Sequence, residues 1–204
     1  EVIWVLQMIK GARINNADIL NEEYTISDNW IIANINADKI LKVINEFVDM
    51  QKEPLFLIIE VPTNIDNEKI KDNGIYQIHK DVYYLDNISI SYAKELLRAF
   101  GNLFINDGMA QIGIGNHSTG AEIITDKYNV VLVYNGRDDV EKYIDLLNMN
   151  KIKQVETLIT ARDYFTESNP GECNCITEDG KTVYDVIDIL IKDAGLYFAE
   201  RRVD

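Results

Sequence analysis

Few residue types able to do chemistry occur in this chain, and they sit apart. His117-Ser118 is the one place where a base and a hydroxyl nucleophile are adjacent. Nucleophilic catalysis needs the base held near the hydroxyl and oriented by a third group. Asp107 and Glu122 are carboxylates that could orient the imidazole. Neighbours on a loop rarely reach that geometry, and no G-x-S-x-G elbow is present. His117 therefore reads as a polar loop histidine rather than a catalytic base. Just upstream, Gly113-x-Gly115 with Gly120 has the outline of a phosphate loop. It lacks both the G-x-G-x-x-G spacing and the Gly-Lys-Ser/Thr ending. It also lies between two strand-like runs, so no helix N-terminus would face a phosphate. A hairpin is the expectation.

Cys173-x-Cys175 is too closely spaced for an unstrained disulfide. With His79 and His117 the chain offers at most four soft ligands, and no second matched pair completes a zinc signature. No cofactor or metal is expected. Acidic neighbours such as Glu172 should raise the thiol pKa values. Asp138-Asp139 suits a helix N-terminus, whose dipole favours negative charge, and Glu178-Asp179-Gly180 suits a turn; neither has the ligand spacing of an EF-hand. The basic pair Arg201-Arg202 is expected to bridge to nearby acids.

The elements that must position these groups follow from periodicity. Trp30–Ile35 and Leu55–Val61 read as strands, the second apolar enough to be buried on both faces. Between them Ile40, Leu41, Ile44, Phe47 and Val48 recur at helical spacing, with Asn36 as N-cap, giving a βαβ candidate. Pro62–Asp81 is a polar loop, and Val82–Leu85 a short edge strand. A helix is expected over Ser91–Ile105, stopped by Asn106-Asp107-Gly108. Ala110–Gly115, Tyr128–Tyr134 and Val155–Ala161 are further strand candidates, with a helix after Asp138. Ser168-Asn-Pro-Gly171 marks a turn. Thr182 with Asp185 forms a capping box for a helix whose apolar stripe is Val183, Val186, Ile187, Leu190, Ile191 and Ala194. Gly195 stands at its C′ position, and Leu196–Ala199 could return to the sheet. Strands and helices alternate without strict order. The expected fold is therefore α+β, one compact domain over residues 1–204 with a mixed, largely antiparallel sheet covered by helices. A subdomain break near residue 85 is the alternative.

Composition narrows the partners. The 204 residues carry 34 acids and 20 Lys and Arg, a net charge of −14. Half of that sits in one segment. Asp163, Glu167, Glu172, Glu178, Asp179, Asp185, Asp188, Asp193 and Glu200 face only Lys181 and Lys192, a local charge of −7. Such a field attracts basic proteins and repels nucleic acid and anionic membranes. No run approaches the ~18 apolar residues of a membrane span, and the first residues lack the basic region and cleavage site of a signal peptide. The two closely spaced cysteines suit a reducing, cytoplasmic setting.

In size, acidity, α+β pattern and want of catalytic signatures, the chain resembles bacterial polymorphic-toxin immunity proteins. That resemblance is one of general character. It implies an acidic cytoplasmic antitoxin, not an enzyme, that covers the active site of a basic toxin. The partner-binding residues expected from the charge pattern are Asp163, Tyr164, Glu167, Glu172, Glu178, Asp179, Asp185 and Asp188. Phe165, Tyr184, Tyr197 and Phe198 are further aromatic anchors. The alternatives are a hydrolase using the His117/Ser118 loop and a structural or regulatory module.

Overall fold

Period-two patterning builds a nine-stranded sheet in the computed structural model, which describes residues 6–15, 19–63 and 79–203. In chain order the elements are β1 (Ala12–Arg13), β2 (Glu23–Ser27), β3 (Trp30–Asn34), α1 (Ala37–Asp49), β4 (Leu55–Pro62), β5 (His79–Ile88), α2 (Ile90–Leu96) and α3 (Asn102–Asn106). There follow β6 (Gln111–Gly115), β7 (Glu122–Thr125), β8 (Val130–Tyr134), α4 (Glu141–Met149), β9 (Lys153–Gln154), β10 (Glu172–Cys173), α5 (Val183–Asp193) and β11 (Tyr197–Val203). The sheet order is β11-β5-β4-β6-β7-β8-β3-β2-β9, and β1 pairs separately with β10. Every pair in the large sheet is antiparallel except β2–β9. The fold is thus α+β with a mixed, largely antiparallel sheet. The βαβ expectation holds in an extended form. Alternating directions make β3 and β4 parallel, and α1 carries the chain across the three strands between them.

All the helices lie on one face. Leu55, Leu57, Ile59 and Val61 of β4 project into one large core with Ile112, Ile114, Ile123, Val131 and Val133. That core also takes Ile40, Val43, Ile44, Phe47 and Val48 of α1 and Val183, Val186, Ile187 and Leu190 of α5. The alternate residues, Phe56, Ile58, Val82 and Ile124, form a second cluster with Tyr84 and Leu132 that contains no helical residue. β4 is buried on both faces, as its apolar run predicts. On the helix-free face, however, the cover comes from neighbouring side chains, because large rings on adjacent strands shield one another.

Local chemistry accounts for most element ends. The Thr182–Asp185 capping box forms as expected, and Gly195 has φ +83° where α5 ends. The helix expected over Ser91–Ile105 runs from α2 through a π turn at Leu97–Gly101 into α3. Ser89 caps it by accepting from the Tyr92 N–H. Asn36 does not cap α1 with its side chain, because its Oδ1 accepts from the Gln7 N–H instead.

Two strand expectations change. Val82–Leu85 belongs to a ten-residue internal strand, β5, whose outer side is covered by β11; Leu85, where the alternative put a subdomain break, pairs with Leu57. Val155–Ala161 is not a strand. Its backbone is bonded irregularly, with Thr25 donating to the Glu156 carbonyl and Asn34 to the Ile159 carbonyl, and a 3₁₀ turn follows at Ala161–Tyr164. β2 and β7 are strands that periodicity does not reveal. The expected loop at Pro62–Asp81 falls mostly outside the described residues.

Candidate functional site on the open face of the sheet

The floor of the helix-free face depends on two glycines. Gly113 and Gly115 lie on β6 opposite Ile58 and Phe56 of β4. A Cβ on Gly113 would meet Ile58 Cγ2 at 2.8 Å, and one on Gly115 would overlap the Phe56 ring. The G-x-G motif therefore lets side chains of β4 lie flat across β6. The hairpin expected here forms between β6 and β7. Its turn is held by Asn116, whose Oδ1 accepts from Ser118 N and Thr119 N at 2.7 and 3.2 Å and whose Nδ2 donates to the Lys52 carbonyl.

This turn lays His117 over Phe56, with ring centroids 4.3 Å apart and planes 23° apart. His117 Nε2 is 2.8 Å from Asp86 Oδ1, and the Tyr197 hydroxyl donates to Asp86 Oδ2 at 2.6 Å. Alternation along β5 puts Asp86 on the same face as Tyr84, and a bulge at Asn87 (φ +58°) returns Ile88 to the main core. The Tyr197 hydroxyl, and then His117, hold the Asp86 carboxyl below its ordinary pKa. The group that orients the imidazole is thus Asp86, not Asp107 or Glu122. Asp107 is buried elsewhere, accepting from the N–H groups of Met109, Ala110 and Ile176. Ser118 makes no hydrogen bond to His117 among the described residues.

These groups line a cleft of about 480 Å³ at the hairpin end of the open face, walled by Phe56, Tyr84, Tyr134 and Tyr197. Glu122 stands on its floor. Burial, and then the charge of Glu60, raise the Glu122 pKa. No hydrogen bond or ion pair reaches the Glu122 side chain among the described residues. A second concavity of about 400 Å³ shares Tyr84 and Glu122 with the first and continues to the other end of the strands, past Trp30, Lys80 and Asp126. There the charges are paired. Arg202 lies 3.1 Å and Lys80 3.8 Å from Glu60, and Arg162 lies 3.0 Å from Asp126. A bulge at Ala199 turns Arg202 toward Glu60, while Arg201 pairs with Asp81. The arginine pair does bridge to nearby acids.

The residues expected to bind a partner lie elsewhere. From β9 the chain runs as a strap along the end of the sheet opposite the hairpin. It is tied to Asn34, to Asp126, to β1 and to Asp107 before entering α5. Asp163, Glu167, Glu172, Asp179, Asp185 and Asp188 are exposed, and Glu178 is half-buried with both oxygens accepting from Asn102. Asp163 and Asp185 also cap their own turns. The strap strings Asp163, Glu167, Glu172, Glu178 and Asp179 along the sheet end instead of gathering them at one point, and Asp185 and Asp188 lie beyond it on α5. Tyr164 and Phe165 are half-buried against the main core. The Tyr184 hydroxyl donates to the Pro62 carbonyl. Tyr197 and Phe198 are 47% and 51% exposed but point to opposite faces of β11, Tyr197 into the cleft and Phe198 onto Tyr83. On α5, Asp185, Asp188 and Lys192 face water, while Ile191, counted in the stripe, is exposed.

Cys173 and Cys175 are free thiols. Both pKa values are raised, chiefly by burial; for Cys175 the secondary cause is Asp107, and Glu172 is not the source. Asp138 and Asp139 serve the start of α4, Asp138 binding Lys142 and Tyr143 and Asp139 accepting from the Glu141 N–H. Among the described residues no group of three or more His, Cys, Asp or Glu could hold a metal ion, and no helix is long and apolar enough to cross a membrane. Sequence reasoning misses Asp86, Tyr84, Tyr134 and Phe56 as site residues; the signal that could find them is the alternation of aromatic and charged residues on the second face of β4, β5, β7 and β8. Compared with protein-family models, characterised proteins and solved structures, the chain has no significant match.

Proposed function

We propose that this chain is a binding protein that captures a basic protein and neutralises it, as the immunity proteins it resembles do, by covering the partner's active site. One observation carries the reading. The eight carboxylates from Asp163 to Asp193 enter no ion pair with Lys or Arg among the described residues, and that stretch carries only Lys181 and Lys192 as bases. Charge left uncompensated along the strap and the exposed side of α5 sets up a field that a basic surface would complete. Each exposed pair is worth under ~1 kcal/mol, so the field acts on encounter more than on affinity. Steered association can reach about 10⁸–10⁹ M⁻¹s⁻¹ at low salt. Nucleic acid is repelled by the same charge.

The test is association kinetics with the product of the neighbouring gene, if it is basic, at several salt concentrations. Replacing Asp163, Glu167, Glu172 and Asp179 together by amides should slow association and flatten its salt dependence. Salt-independent association, or no complex, would remove the reading.

A second reading, an acid–base site, draws on the Asp86–His117 pair in the cleft. A carboxylate on one imidazole nitrogen is the orienting half of a catalytic triad, but no hydroxyl or thiol partners the other nitrogen among the described residues. Loss of a measured hydrolytic activity in a folded His117→Ala variant would establish it.

A further inference from the structure

We propose that the cleft at the hairpin end of the open face is a binding site for an organic cation, a guanidinium or alkylammonium group. Three features meet there. Tyr84, Tyr134 and Tyr197 wall it beside the His117-covered Phe56 ring, and aromatic faces attract cations. Asp86 and Glu122 give it two carboxylates. Asp86 is preorganised by the Tyr197 hydroxyl and His117. Glu122 is half-buried, with no hydrogen-bond or ion-pair partner among the described residues. A carboxylate partly removed from water with no donor is costly, and a cationic N–H entering the cleft would relieve that cost.

Among the described residues the protein supplies no cation of its own to do this. Arg202, whose charge bears on Glu122, is engaged by Glu60 and Glu200. The basic group that lines the cleft among the described residues is the His117 imidazole, already hydrogen-bonded to Asp86. An anionic ligand would meet two carboxylates and is disfavoured. The volume, about 480 Å³, lies within the ~300–1,000 Å³ of small-ligand sites, enough for a guanidinium and its stem. Burial and Glu60 raise the Glu122 pKa, and a bound cation would draw it back down. The site lies at the opposite end of the strands from the carboxylate strap, so it does not depend on the strap's role.

The test is an NMR titration of the whole chain with methylguanidinium, with acetyl-Gly-Arg-Gly-amide and with its uncharged citrulline counterpart. Saturable shifts are expected in the amides of residues 115–122, 84–86 and 197–199 with both cations, and not with citrulline. Glu122→Gln should weaken cation binding about tenfold or more, and Asp188→Asn on α5 should leave it unchanged. Tighter binding of the peptide would identify a protein side chain as the ligand, and equal binding a free small cation. Absence of saturable shifts, equal binding of citrulline, or an unchanged affinity in Glu122→Gln with an unaltered melting curve would overturn the proposal. None of these results bears on the salt dependence of association through the strap.

Discussion

Replacing Gly115 by alanine should destabilise the protein through one contact, the Phe56 ring. Gly115 has an ordinary strand backbone, so alanine brings no conformational penalty of its own. Its Cβ would overlap the Phe56 ring and come 3.0 Å from the Ala121 carbonyl oxygen. Phe56 is 5% exposed and cannot swing away freely, because His117 stacks on it at 4.3 Å and Tyr84 meets it at 5.7 Å. Overpacking of this kind costs about 1–3 kcal/mol, and at this chain length each kcal/mol lowers Tm by roughly 2–4 °C. Phe56→Leu alone should cost about 1–2 kcal/mol for lost burial, but it removes the obstacle. The double variant should then be more stable than the sum of the two losses by about 1 kcal/mol or more. Thermal and urea denaturation of the four proteins measures that coupling. Additivity within ~0.5 kcal/mol would refute the claim that the glycine exists to seat this ring. Gly180 makes the contrast. It has φ +73°, and a Cβ there would meet no atom within 4 Å, so Gly180→Ala should cost about 1–2 kcal/mol from backbone conformation alone, whatever stands at residue 56.

Two further outcomes are expected. Asp107→Ala leaves three N–H groups without an acceptor, the buried one of Ala110 and the half-buried ones of Met109 and Ile176. It should cost about 3–5 kcal/mol and speed proteolysis of the strap at residues 156–181; a loss under ~1 kcal/mol would show that the strap is held by other means. Asp86→Asn tests the hydrogen bonds from Tyr197 and His117 that lower the Asp86 pKa. A carboxyl with a depressed folded-state pKa stabilises the fold above its ordinary pKa and loses that contribution as pH falls through the folded value. The variant should be about 1 kcal/mol less stable at neutral pH, and its stability should converge with the parent's in acid; a constant difference across the range would mean that ionisation of Asp86 is not the cause.

Much of the architecture was legible because it rests on local chemistry. α5 carries its own start and stop, Thr182 with Asp185 at one end and Gly195 at the other, and both act as their residue types require. β4 announces itself by an almost unbroken apolar run, Leu55 to Val61. β7 did not, because Glu122-Ile-Ile-Thr125 is too short for alternation to stand out, and its place comes from pairing with β6 and β8. Val155–Ala161 carries strand-like residues, yet the sheet's edge there is already closed by Lys153–Gln154, and the chain turns away along the sheet end.

By itself the sequence determined the α+β class, the acidic balance, the hairpin at Gly113–Gly120 and the two ends of α5, all consequences of residue type and short-range spacing. Only the tertiary structure decided that the helices share one face and leave the other open. Which face of a strand is covered depends on where distant helices pack, and no period records that. The same holds for the cleft. Phe56, Asp86, Glu122, Tyr134 and Tyr197 come from five strands, separated by up to 141 positions in the chain, and lateral pairing is what places their alternate residues side by side.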